Sequence, residues 1–168
     1  NREAIDEADL VIFAIKPQTL DPILDELSGH LGNNQTVVSI IAGAKLTTLV
    51  KGLDHQSAIR VMPNTPAQIG AGMSVWTSTK QVSKQAREWT KNILHTLGKE
   101  IEVDDEKYLD MSTAINGSGP AYVFTFAEAL IDAAVHIGLN RTLARDLALQ
   151  TLWGSSKLLL QSGAHPAE

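Results

Sequence analysis

The chain has 168 residues, a net charge of −5 and no cysteine, enough for one good core or two small ones. Disulfide frameworks and thiolate sites are thereby excluded. So mild and spread a charge gives no support for nucleic-acid binding.

Residues 1–8 read as the end of a helix. The run Asp9-Leu10-Val11-Ile12-Phe13-Ala14-Ile15 follows at once, apolar and rich in branched types. That pattern suits a strand buried on both faces of a parallel sheet. Such a strand needs neighbours on both sides, yet the other candidates, 36–41, 58–62 and 73–77, all come later. An earlier portion of the sheet is therefore expected outside these residues. The other end, Ala164-His165-Pro166-Ala167-Glu168, is equally abrupt, and a fragment of a longer protein is expected.

Between the strands, residues 22–31 predict a helix with Asp21 as its N-cap. Residues 45–53 predict a short helix after an Ala42-Gly43 turn. Residues 82–97 predict a longer one, with Ala86, Trp89, Ile93 and Leu97 on one face. Gly98 ends it, and 101–103 offers an edge strand. This alternation is the βαβ signature. From Glu106 onward everything reads as helical, and Asp104-Asp105 marks the expected boundary between domains at 1–104 and 105–168.

The helical part is too apolar to stand alone. Between residues 122 and 137 the charges are Glu128 and Asp132, on one face. A helix apolar nearly all round must be covered on most sides, so a second subunit or further helices must complete the core. No uncharged apolar stretch reaches the ~18 residues of a membrane span. No signal peptide opens the chain, so a cytoplasmic protein without a membrane partner is expected.

Within this helical sequence stands Asn116-Gly117-Ser118-Gly119-Pro120-Ala121-Tyr122-Val123. A helix interior disfavours glycine by roughly 1 kcal/mol and proline by roughly 3 kcal/mol. The cluster predicts a sharp break between two helices, with Pro120 in the first turn of the second. A glycine-lined helix start lets a ligand approach closely; a plain helix–helix corner is the alternative.

Ligands of open parallel sheets bind outside the carboxyl ends of the strands. Those ends carry Ala14-Ile15-Lys16-Pro17-Gln18, Ile41-Ala42-Gly43-Ala44 and Met62-Pro63-Asn64-Thr65-Pro66. Lys16 offers a cation to a phosphate or ribose, and Gly43 a bare backbone to a flat ring. The two prolines stiffen the third loop and leave Asn64 as its polar tip, a donor and acceptor. Each signal is weak alone, but together with the glycine cluster they favour a ligand cleft. The five histidines, His30, His55, His95, His136 and His165, show no metal-ligand spacing, and no metal is expected.

The set Ala14-Ile15-Lys16-Pro17, Val38-Ser39-Ile40-Ile41-Ala42-Gly43, Arg60-Val61-Met62-Pro63-Asn64-Thr65-Pro66 and Gly117-Ser118-Gly119-Pro120-Ala121-Tyr122 resembles pyrroline-5-carboxylate reductase. The tail, Gly154-Ser155-Ser156-Lys157 and Gly163-Ala164-His165-Pro166, is similar as well. The resemblance implies the second half of a Rossmann-type dinucleotide-binding domain followed by part of an all-α dimerisation domain. It implies reduction of 1-pyrroline-5-carboxylate to L-proline with NADPH or NADH, in a homo-oligomer that is at least a dimer.

By the same resemblance, Ile15, Lys16 and Pro17 lie near the nicotinamide ribose, and Ala42 with Gly43 meets the carboxamide. Glu106 resembles a cofactor-contacting acid, with a helix-capping role open beside it. Asn64 lines the nicotinamide cleft, and Gly117, Ser118, Gly119 and Pro120 line the substrate side. A small residue is common in the family at Asn116, which argues against a direct role there. The family's glycine-rich phosphate turn and its imine-binding threonine have no counterpart in these residues, so no catalytic residue is assigned and the 168 residues alone are expected to be inactive. Alternatives are a related imine reductase, a β-hydroxyacid dehydrogenase or a non-catalytic dimerisation fragment. The lack of a lysine between Lys107 and Lys157 counts against the dehydrogenase.

Overall fold

The computed structural model describes residues 1–167. Two compact units divide at Gly119 and Pro120. The first holds α1 (Arg2–Ile5), β1 (Leu10–Phe13), α2 (Leu20–Leu27), β2 (Thr36–Ser39), α3 (Leu46–Leu53), β3 (Ala58–Met62), β4 (Gly72–Ser78), α4 (Lys84–Leu97), β5 (Gly98–Glu102) and α5 (Lys107–Ser112). A π-helical turn, Thr113–Gly117, leads into α6 (Gly119–His136), which is followed by α7 (Arg141–Ser162). The architecture is α/β followed by all-α.

The five strands form one sheet in the order β1-β2-β3-β4-β5. β1, β2 and β3 are parallel, with Phe13 opposite Ser39 and Ser39 opposite Arg60. The sheet is not wholly parallel, as the sequence had suggested: β4 runs antiparallel to β3. The cause is the connection, residues 63–71, which is shorter than the dozen or so residues a parallel crossover requires. α4 supplies such a crossover, so β5 returns parallel to β4.

Alternating side chains divide the core between the two faces. Val11, Phe13, Val37 and Ala58 pack with Leu20, Leu24 and Leu27 of α2 and Leu49 and Leu53 of α3. Val38, Ile59, Val61 and Trp76 pack with Ala86 and Leu94 of α4. β1 departs from the expected burial on both faces, since Ile12 is 48% exposed. Among the described residues β1 has one strand neighbour, β2, and stands at the end of the sheet order.

Local chemistry shifts several boundaries. α2 begins at Leu20, so the N-cap position falls on Thr19 rather than Asp21, and the Thr19 side chain makes no capping bond there. The 3-10 turn Pro17–Thr19 starts the coil early, since proline holds φ near its helical value. The helix stops at Leu27 because Ser28 turns out to ψ 124. In α4 the buried stripe is Ala86, Thr90 and Leu94, whereas Trp89 and Ile93 flank it at 37% and 41% exposure. The apolar spacing missed Thr90 because its hydroxyl disguised a core position. β5 starts at Gly98 rather than at residue 101.

In the second unit, α6 leaves Tyr122, Phe124 and Phe126 about three-fifths exposed at 61%, 64% and 58%. Asn140 caps α7 by accepting from Leu143 N at 2.9 Å. No helix of the described residues is long and apolar enough to cross a membrane.

Candidate functional site at the carboxyl edge of the sheet

Because β1, β2 and β3 run together, their exit loops share one edge. Ile40 N donates to Phe13 O at 3.1 Å, holding the first two exits side by side. Ile15 packs against the core below this edge, whereas Lys16 and Pro17 are exposed. The Lys16 carbonyl accepts from Thr19 N at 3.0 Å and from Thr19 Oγ1 at 2.8 Å, which fixes the loop's direction.

The second loop carries Ala42 and Gly43, both exposed. Gly43 has φ +78, and a Cβ built there would meet nothing within 4 Å. A left-handed residue facing open space is where glycine is needed for the turn itself. The bare backbone is then available to a flat group.

At the third exit Asn64 is not a free polar tip. Its Oδ1 accepts from Met73 N at 2.9 Å, and its Nδ2 donates to the Asn116 carbonyl at 3.0 Å. Asn116 replies with its own Nδ2, which donates to Met62 O at 3.2 Å and Met73 O at 3.1 Å. The two amides thus lock the π turn onto the end of β3 and the start of β4. The expected sharp break at the glycine cluster is absent. The turn widens instead, with Ser118 N donating to Thr113 O at 2.8 Å, a five-residue step typical of π-bulges at functional sites. Pro120 then takes the second position of α6; it has no N–H to give the Asn116 carbonyl four residues back, which accepts from Asn64 Nδ2 instead.

Gly117 lies tight against the strand tip: a Cβ there would come 2.8 Å from Met62 Cε. Gly119 is different, with nothing within 4 Å of a Cβ. The protein's own packing therefore does not demand glycine at 119.

Glu106 Oε1 accepts from Leu46 N, the first residue of α3, at 2.8 Å. The same oxygen accepts from Arg60 Nη1 at 2.9 Å, while Asp110 Oδ1 accepts from Arg60 Nη2 at 2.7 Å. Glu106 is therefore a side-chain cap for α3, and a carboxylate is favoured at that end of the helix dipole. Arg60 itself is 2% exposed. The sequence reading gave it no role, although a cation inside Ala58-Ile59-Arg60-Val61-Met62 is itself a signal that carboxylates must meet it.

The structure thus gathers Asn64, Glu106, Gly117 and the Ala42-Gly43 turn around the exits of β2 and β3, with residues 15–17 at the exit of β1. A cavity of ≈ 500 Å³ lined by Arg2, Asp6, Asp9, His30 and Gln35 lies elsewhere. Asp9 and Gln35 precede β1 and β2, so it sits at the opposite, amino edge.

Residues 106–168 match the family model "Pyrroline-5-carboxylate reductase dimerisation", and residues 1–43 match "NADP oxidoreductase coenzyme F420-dependent". A pyrroline-5-carboxylate reductase of Synechocystis sp. is 41% identical over 168 residues, covering 100% of this chain and 62% of the relative. The chain belongs to the pyrroline-5-carboxylate reductase family. The reductase of Streptococcus pyogenes superposes with a TM-score of 0.90 at 32% identity, over 99% of this chain and 62% of that one. The Plasmodium falciparum pyrroline carboxylate reductase, solved with NADP bound, gives 0.87 at 34% identity, over 94% and 60%. The chain spans about three-fifths of the length of the curated relatives it matches. Within the reductase family framework, the dimerisation match opens at Glu106 and takes in α5, the π turn, α6 and α7.

Proposed function

We propose that this chain is the central portion of an NAD(P)H-dependent reductase that converts 1-pyrroline-5-carboxylate to L-proline. The observation that carries the proposal is the 41% identity to a pyrroline-5-carboxylate reductase across all 168 residues. The amide lock seating the glycine-bearing π turn on the tips of β3 and β4 supports it. We read residues 1–104 as part of the nucleotide-binding domain and 105–168 as part of the dimerisation domain, in a cytoplasmic homo-oligomer that is at least a dimer.

The strand exits suit a nicotinamide cofactor, since Gly43 leaves uncovered backbone where a Cβ would otherwise project. Ile15, Lys16 and Pro17 would border the nicotinamide ribose, Lys16 as an exposed cation and Ile15 as its anchor in the core. Ala42 and Gly43 would offer backbone to the carboxamide. Asn64 would set the height of the cleft through its bonds to Met73 and Asn116, and Glu106 would hold the Ala42-Gly43 turn by capping α3. Gly117, Ser118, Gly119 and Pro120 would form the substrate wall, Gly119 leaving space for the ring and its carboxylate. Bound NAD(P)H supplies the hydride that the imine carbon accepts, while the nitrogen holds the proton of the iminium. The chain's part is alignment, bringing donor and acceptor carbons to about 3–3.5 Å. The test is a spectrophotometric assay of the full-length gene product with 1-pyrroline-5-carboxylate and NADPH or NADH. Substrate-dependent cofactor oxidation with proline as product is expected, and its absence with both cofactors would refute the proposal.

A further inference from the structure

Arg60 is a cation buried inside the sheet. It stands within β3 at 2% exposure, between Ile59 and Val61, themselves at 0% and 1%. A charge is tolerated in such a place only when its donors are met. Glu106 and Asp110 meet them at 2.9 and 2.7 Å. These are charge-assisted contacts, the stronger class of hydrogen bond.

Glu106 Oε1 has a second donor. Leu46 N, which opens α3 directly after the loop of Ala42 and Gly43, reaches it at 2.8 Å. Two donors from separate elements thus converge on one oxygen, and one of them is a guanidinium walled in by the sheet. The carboxylate is held by the core rather than by solvent. The loop before α3 is anchored on its strand side by Ile41, buried at 2% with its N–H on Ser39 Oγ at 3.2 Å, and on its helix side by buried Ala44 and by Glu106 on Leu46 N; Gly43 stands left-handed and untouched at the apex between them.

We propose that Arg60 is a positioning residue for the nicotinamide end of the bound cofactor, acting through Glu106 on the turn at Ala42 and Gly43. This inference rests on the reductase reading and adds to it the device that sets the ring's seat. At 2% exposure, Arg60 would touch neither cofactor nor substrate itself. Loss of Arg60 or of the Glu106 carboxylate releases the Leu46 N–H and lets the turn drift, which weakens contacts to the ring and leaves the adenine half of the cofactor unaffected.

The test uses the full-length gene product. Arg60→Met, Arg60→Lys and Glu106→Ala are compared with wild type for binding of NADPH and NADH and of the adenine halves alone (2′,5′-ADP or ADP). Glu106 is included because its side chain is 24% exposed, so its removal spares the core if Arg60→Met fails to fold. The expected result is at least a tenfold loss of affinity for the intact cofactor in Arg60→Met and Glu106→Ala. Binding of the adenine half should stay within twofold of wild type, and Arg60→Lys should recover part of the loss. Equal losses for both ligands, or no loss for either, would overturn the inference. A wild-type protein that binds neither cofactor would instead overturn the reductase reading beneath it.

Discussion

Two glycines, Gly43 and Gly119, face open space for different reasons, and that difference is measurable. Gly43 is left-handed at φ +78, so Gly43→Ala must hold a Cβ in a conformation costing roughly 1–2 kcal/mol. Denaturant unfolding should show a loss of that size, and an unchanged midpoint would place the strain elsewhere. Gly119 begins α6 and meets nothing within 4 Å. Gly119→Val should therefore keep its stability within about 1 kcal/mol, the scale of helix propensities, while turnover should be lost if, as proposed, that space takes the substrate. Wild-type turnover in that variant would make the glycine incidental. The sequence made the residue types at this edge legible but not their bonding. Asn64 stood out as a polar tip between two prolines, yet its partners, Asn116 and Met73, are fixed only by the folded chain. The partners of Arg60 are hidden for the same reason, since its carboxylates lie far along the chain.

At the scale of elements, strands and helices were readable where one period dominated. The strands at 36–39 and 58–62 and the helices at 46–53 and 84–97 fall close to their apolar runs. The direction of β4 was not readable from its composition, because direction is set by the length of the connection before it. The glycine cluster also misled. Propensity argued for a break, but the Asn116 carboxamide supplies two donors to strand carbonyls and lets the helix widen into a π turn instead. That element should be sensitive to its anchor. Asn116→Leu leaves the carbonyls of Met62 and Met73 without this donor, a loss of about 1–3 kcal/mol. A lower urea midpoint with an unchanged slope is the expected outcome. Equal midpoints in variant and wild type would show that the π turn holds itself.

For the whole molecule, two surfaces need explanation: the strand tips of the first unit, and the aromatic side chains that α6 of the second unit leaves bare on more than one side of the helix. Tyr122, Phe124 and Phe126 on one short stretch exceed what a solvated helix usually shows. Covered by a second copy, they would become the centre of a dimer interface. Phe124→Asp would then place an unpaired charge there, and light scattering should show a smaller particle than wild type. The same mass for both would exclude α6 from the interface. The central claim, that this edge seats a nicotinamide cofactor beside a cyclic imine, is tested most directly by oxidation of NADPH or NADH in the full-length gene product. With 1-pyrroline-5-carboxylate present, wild type should oxidise one of the two cofactors and release proline in equal amounts, and Gly119→Val should do neither while still binding the cofactor. Cofactor binding without any turnover of the imine by wild type would contradict the account.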